Sequence, residues 1–255
     1  MAQGLPRTSF NRSSLVRTLA DLAVAEVAES RQSFAERLGQ WLEFKDALPL
    51  YSVLNAGADT AIGHGVASPQ TAAIREDLAR VRSTLADSIV ADGVSGPGKV
   101  RIQLPTPSPG ASADSAAEFA PYHRYYLAHQ RDMTASIGPL RVNARAALSA
   151  CSVSLKQLAA LDAVLEQALQ TRERSLLASV PALLAKRFEK RYADHLAARV
   201  DADTADDPCQ WMQPGGWLAV FCKEMQNVLL AELDLRLQPI VGMIDAVGNE
   251  VAREQ

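Results

Sequence analysis

Ile74, Leu78, Val81, Leu85 and Ile89 recur at intervals of three and four residues. That spacing gathers five apolar side chains on one face of an α-helix; a strand, with its period of two, would scatter them over both faces. The same interval returns at Leu15, Leu19, Leu22, Ala23 and Val27, at Phe119, Tyr122, Tyr126, Met133 and Ile137, at Leu184, Phe188, Tyr192 and Leu196, and at Phe221, Met225, Val228, Leu229 and Leu233. The chain is therefore predicted to be all-α: a helical bundle with long antiparallel helices, about seven to eight of them. The residue choice agrees, since aromatics are only 5% of the chain and its commonest residues are good helix formers.

A second pattern refines this. Leu148, Cys151, Leu155, Leu158, Asp162, Leu165, Leu169, Arg172 and Leu176 alternate at three and four, the spacing of a coiled-coil seam. Asp162 and Arg172 interrupt it with charge. An antiparallel helical pair within the chain and a dimer both account for such a seam.

Proline and glycine divide the chain. Residues 1–12 read as an N-terminal arm, and residues 13–90 as an N-terminal helical subdomain. Residues 91–115 carry Gly93, Gly96, Pro97, Gly98, Pro105, Pro107, Pro109 and Gly110 and read as a linker. Residues 116–255 read as a C-terminal helical bundle. Within the linker, Val100, Ile102 and Leu104 alternate like a strand, and an extended connector tacked onto the helices explains them. Gly138-Pro139, Pro181 and Pro239 are expected to break helices, leaving one long helical region from about Leu140 to Ser179 and a short final helix after Pro239.

The stretch Ser33–Leu54, SFAERLGQWLEFKDALPLYSVL, carries the densest signals. Ser33 and Glu36 fit a capping box. Phe34, Leu38, Trp41, Leu42 and Leu48 make an apolar face, Pro49 should end or kink the helix near Leu48, and Leu50, Tyr51, Val53 and Leu54 prolong the apolar surface. The stretch is expected at the centre of the core, organising the N-terminal helices; the competing reading is a binding groove centred on Trp41 and Tyr51.

Motifs for chemistry are missing. There is no phosphate-binding glycine loop, no G-x-S-x-G and no H-E-x-x-H. His123 and His129 are six apart, on different faces of one helix, so they cannot share a metal alone. His64 sits in a glycine-bearing loop. His129 and Asp132 are spaced to pair. The acidic run Asp201–Asp207 lacks the glycine and terminal glutamate of a calcium loop. Cys151, Cys209 and Cys222 are widely spaced and read as reduced, mostly buried thiols. No enzyme signature is found, and no cofactor or metal is expected.

Two surfaces remain as candidate interaction sites. One is aromatic and basic, centred on Tyr122 and Tyr126. The other is basic: residues 172–199 hold seven Lys or Arg against three acids, and Lys186, Arg187, Lys190 and Arg191 flank Phe188 and Tyr192. Such a face either covers the core with its long stems or tracks phosphates. With a formal net charge of −3, nucleic acid is the less favoured partner. No run approaches the ~20 apolar residues of a membrane span, and no signal peptide precedes residue 13, so a cytoplasmic location is expected.

Three segments together, SFAERLGQWLEFKDALPLYSVLN from Ser33, YHRYYLAHQRDMTASIGPLR from Tyr122 and WLAVFCKEMQNVLLAELDLRLQP from Trp217, resemble an uncharacterised bacterial family catalogued as domain of unknown function 3348. The resemblance implies a bacterial cytoplasmic protein with no assigned activity and no catalytic residues to carry over. It also hints at an accessory role in an envelope-associated system. The expected function is that of a helical interaction or scaffold protein with a protein partner or a second copy of itself. The alternative is a nucleic-acid-associated protein using residues 186–191.

Overall fold

The computed structural model describes residues 13–22, 34–55, 69–91, 101–108, 110–199 and 206–253. Among them every regular element is a helix. In chain order these are α1 (Ser14–Asp21), α2 (Phe34–Trp41), α3 (Phe44–Asn55), α4 (Pro69–Val90), the single turn α5 (Ala113–Ala116), α6 (Ala120–Ser149), α7 (Val153–Ala178), α8 (Val180–Ala198) and α9 (Trp217–Arg253), with a 3-10 turn at Pro208–Gln210. The all-α prediction holds. Ser33 and the loop around His64 lie outside the described residues.

The core is built around α9. Leu218, Phe221, Met225, Val228, Leu229, Leu233, Leu237 and Ile240 are all buried, because α9 is apolar on most of its circumference and must be covered on several sides. Helices α1, α4, α6, α7 and α8 pack on it. Paired residues fix the directions. Ile89 meets Gln226 and Arg82 meets Asp234, so α4 runs antiparallel to α9. Phe188 meets Phe221 and Tyr192 meets Trp217, so α8 does too. Tyr126 meets Glu232 and Thr134 meets Arg236, so α6 runs parallel to α9. Leu15 and Leu19 of α1 and Ile74, Leu85 and Ile89 of α4 join the same buried cluster as the C-terminal helices.

Two proline expectations, the breaks at Pro139 and Pro239, are corrected. Helices α3, α6 and α9 pass through Pro49, Pro139 and Pro239 without ending. A proline inside a helix costs ~3 kcal/mol through a lost hydrogen bond and a clash with the carbonyl four residues back. In α6 that cost falls on exposed residues, Gly138 and Pro139, while Ile137, Leu140 and Ala144 keep the opposite face buried. In α9, Leu237, Ile240, Met243, Ile244 and Val247 continue the buried face across Pro239. The uninterrupted apolar face offsets the local defect.

The break comes elsewhere. The expected helix from Leu140 to Ser179 is two helices joined at 150–152. Ser152 caps α7 by accepting from the Leu155 N–H at 3.2 Å, and its hydroxyl also donates to Glu250 at 2.9 Å. The seam therefore folds inside the chain, with α7 antiparallel to α6. Its charged positions find partners: Asp162 takes a two-pronged bond from Arg141, at 2.9 and 2.6 Å, and a third from Arg145 at 2.7 Å. Burial acts upward on the Asp162 carboxyl, but the hydrogen bonds and charges of the two arginines hold it below the usual range.

Residues 101–108 are not helical, and Ile102 and Leu104 pack half-buried against the core. Arg101, not His129, is the ion-pair partner of Asp132.

Candidate interaction surface

Ser33–Leu54 is not the centre of the core. No residue of α3 is buried, and Trp41 is only half-buried. The helix lies along the outside of α7. At one end the Arg172 guanidinium sits 5.0 Å from the centre of the Trp41 ring. At the other, Gln157 Nε2 donates to the Val53 and Leu54 carbonyls, both at 3.0 Å. Gln157 and Arg172 lie fifteen residues apart on α7, so the two tethers run α3 antiparallel to it. The Gln157 bonds also satisfy carbonyls that a helix end leaves without partners.

The half-buried positions of α3 are Asp46, Leu50 and Val53, which share one face. The opposite face carries Phe44, Leu48, Tyr51 and Leu54, which are 90%, 70%, 69% and 59% exposed. The apolar stripe was legible in the sequence; its direction was not.

The second sequence surface dissolves on inspection. Tyr122 and Tyr126 are fully buried. Tyr122 packs against Phe188 and Phe221. Tyr126 donates to the buried Glu232 at 2.7 Å, and Gln130 and Arg236 donate to the same carboxylate at 3.0 and 2.8 Å. These tyrosines hold the core together, because a phenol buried beside a carboxylate is worth more paired than solvated. Glu232 escaped the sequence reading; its signal is an acid on the α9 face that also carries Val228, Leu229 and Leu233.

The basic surface is half neutralised. Arg187 and Arg191 both bind Glu224 of α9, Arg187 through bonds of 2.9 and 2.6 Å. Burial acts upward on the Glu224 carboxyl; the hydrogen bonds and charges of Arg187 and Arg191 outweigh it and hold the group low. Lys186 and Lys190 are exposed.

A family model described as a protein of unknown function, DUF3348, matches residues 1–249. The chain belongs to the DUF3348 family. No curated protein and no solved structure matches it. In this DUF3348 protein a cavity of about 500 Å³ opens at the start of α9, walled by Arg191, His195, Trp211, Gly216 and Trp217. Asp206 is its hub. Trp211 Nε1 donates to Asp206 at 2.8 Å, and His195 Nε2 lies 3.1 and 3.2 Å from the two carboxylate oxygens. Burial pushes the Asp206 carboxyl up, yet the Trp211 and His195 bonds and the charges of His195 and Arg199 leave it below the usual range. An ionised carboxylate only accepts, so Nε2 carries the hydrogen.

A histidine oriented by a carboxylate is two-thirds of a nucleophilic triad. The described residues lining this cavity include no serine, threonine or cysteine. The pair instead locks the turn after Asp206 onto α8. Gly216 completes that turn: a side chain there would meet the Trp211 carbonyl oxygen at 2.3 Å. No sequence pattern announces this cluster, since His195, Asp206 and Trp211 form no motif.

Two further chemistry-bearing groups, His129 and Cys222, are buried in the core. His129 is buried against the Tyr125 ring, 4.5 Å between centres. Cys222 is buried, which pushes its thiol up to about 12 and makes it inert. Cys209 is exposed, contrary to the expectation of buried thiols. Among the described residues no three His, Cys, Asp or Glu converge as metal ligands, and no helix is long and apolar enough to cross a membrane.

Proposed function

We propose that this DUF3348 protein is a helical interaction or scaffold protein that acts through protein–protein contact. The observation that carries this reading is the outward stripe of Phe44, Leu48, Tyr51 and Leu54 on a helix tethered at both ends. Scattered exposed apolar residues are ordinary, but a contiguous row of four large ones on a held helix is the signature of a contact surface. The tethers matter because a pre-ordered helix gives up less entropy on binding.

The nucleic-acid reading loses support from Glu224, which occupies two of the four cations that it needs. The test is affinity purification from the native host with mass spectrometry, using the whole chain beside a Phe44→Ser, Leu48→Ser variant. The proposal expects a protein retained by the parent chain and lost by the variant. Equal capture by both would overturn it.

A further inference from the structure

We infer that the outer face of α3 is where two copies of this chain pair, antiparallel, about a two-fold axis passing between Leu48 and Tyr51. This rests on the interaction role proposed above and specifies its occupant. Three observations select a second copy.

The first is charge. The exposed positions of α3 are Phe44, Lys45, Ala47, Leu48, Pro49, Tyr51, Ser52, Leu54 and Asn55. Lys45 is the one charge among them, and Glu43 holds it at 2.8 Å. A face without net charge sets no demand for an oppositely charged partner, and it meets its own copy without repulsion.

The second is register. A two-fold contact is isologous, so each residue must suit its symmetry-related position. With the axis between Leu48 and Tyr51, Leu48 of one copy faces Tyr51 of the other, Phe44 lies opposite Asn55 and Leu54 opposite Lys45. Phe44 and Leu54 of the two copies are then offset by one residue, about 1.5 Å along the helix, and remain neighbours. At their observed exposures the four residues of the stripe amount to roughly 500 Å² per copy. Pairing two copies buries at most about 1,000 Å², the lower limit for a specific interface.

The third concerns the rest of the chain. The residues outside the described ones supply no matching stripe. Residues 1–12 carry Met1, Leu5 and Phe10 as their only large apolar residues, 23–33 carry Val24 and Val27, 56–68 Ile62 and Val66, 92–100 Val94 and Val100, and 200–205 Val200. None offers four large apolar residues at helical spacing.

The experiment is sedimentation equilibrium on the full chain from 1 to 100 μM, beside Leu48→Asp and Leu48→Ala. Leu48 is exposed, so circular dichroism and the melting profile at low concentration should match the parent in both variants. The inference expects a dimer for the parent. Leu48→Asp, which brings an aspartate against Tyr51 twice per dimer, should weaken pairing at least about 30-fold, and Leu48→Ala less. A parent that stays monomeric, or a dimer indifferent to Leu48→Asp, overturns it. A monomer that still captures another protein through Phe44 and Leu48 also overturns this inference while leaving the interaction role standing.

Discussion

The Arg172 guanidinium lies 5.0 Å above the Trp41 ring and joins the turn between α2 and α3 to the far half of α7. Arg172 was one of two charges that interrupt the seam, and Trp41 one of the residues expected at the core. Their contact explains both, since a cation over an indole face satisfies the charge and covers the ring. Arg172→Ala should therefore act locally. Amide exchange over Phe44–Asn55 should speed up several-fold, while α9 keeps its protection. Trp41→Ala should cost about 1–2 kcal/mol, not the ~3–5 kcal/mol of a core aromatic. Urea unfolding measures the second, and a loss of core size would place Trp41 inside.

Glu232 makes a different prediction. It is wholly buried and receives bonds from Tyr126, Gln130 and Arg236. Glu232→Ala strands those donors and leaves Arg236 without its acid, so it should cost ~3–5 kcal/mol. Tyr126→Phe removes one bond and should cost about 1–2 kcal/mol. The ordering of the two in denaturant midpoint, at unchanged slope, is the check. Equal losses would mean that Glu232 is held by packing and not by the network.

What was legible in the chain was periodicity; what was not was cover. The stripe of α4 predicted its helix, which runs from Pro69 to Val90, because a long amphipathic repeat has few alternatives. The prolines misled because a local rule counts the lost bond at Pro139 and cannot see Leu140, Ala144 and Leu148 continuing the buried face. Ser152 was missed as a break because Cys151 keeps the heptad, while one partner of the Ser152 hydroxyl, Glu250, lies 98 residues away. Ser33–Leu54 shows the same limit at the candidate surface. Its apolar face was plain, yet no sequence pattern says whether other helices will cover it.

Glu224 offers a direct test of the basic surface. Glu224→Ala releases Arg187 and Arg191 beside the exposed Lys186 and Lys190. Retention on heparin should rise, and the salt needed for elution should rise with it, because each freed cation can displace a counterion from a polyanion. The parent chain should elute early. Strong, salt-sensitive retention of the parent itself would restore the nucleic-acid reading.

His129 sets the acid side of stability. Its ring is buried on α6 and its Nε2 has no hydrogen-bond partner. Burial, with the Arg101 charge adding to it, lowers its pKa to about 4 from the ordinary 6.5. The unfolded chain thus binds a proton near pH 6.5 that the folded chain refuses until about pH 4. Stability rises with pH wherever the unfolded state holds more protons. The contribution is therefore complete above pH 6.5 and lost progressively as pH falls toward 4, where it has removed about 3 kcal/mol. His129→Leu removes the titrating group and leaves no orphaned nitrogen. Its melting temperature should fall less than the parent's between pH 7 and 4, the two curves converging or crossing on the acid side. Parallel curves would show that His129 takes up its proton in the folded chain as readily as in the unfolded one.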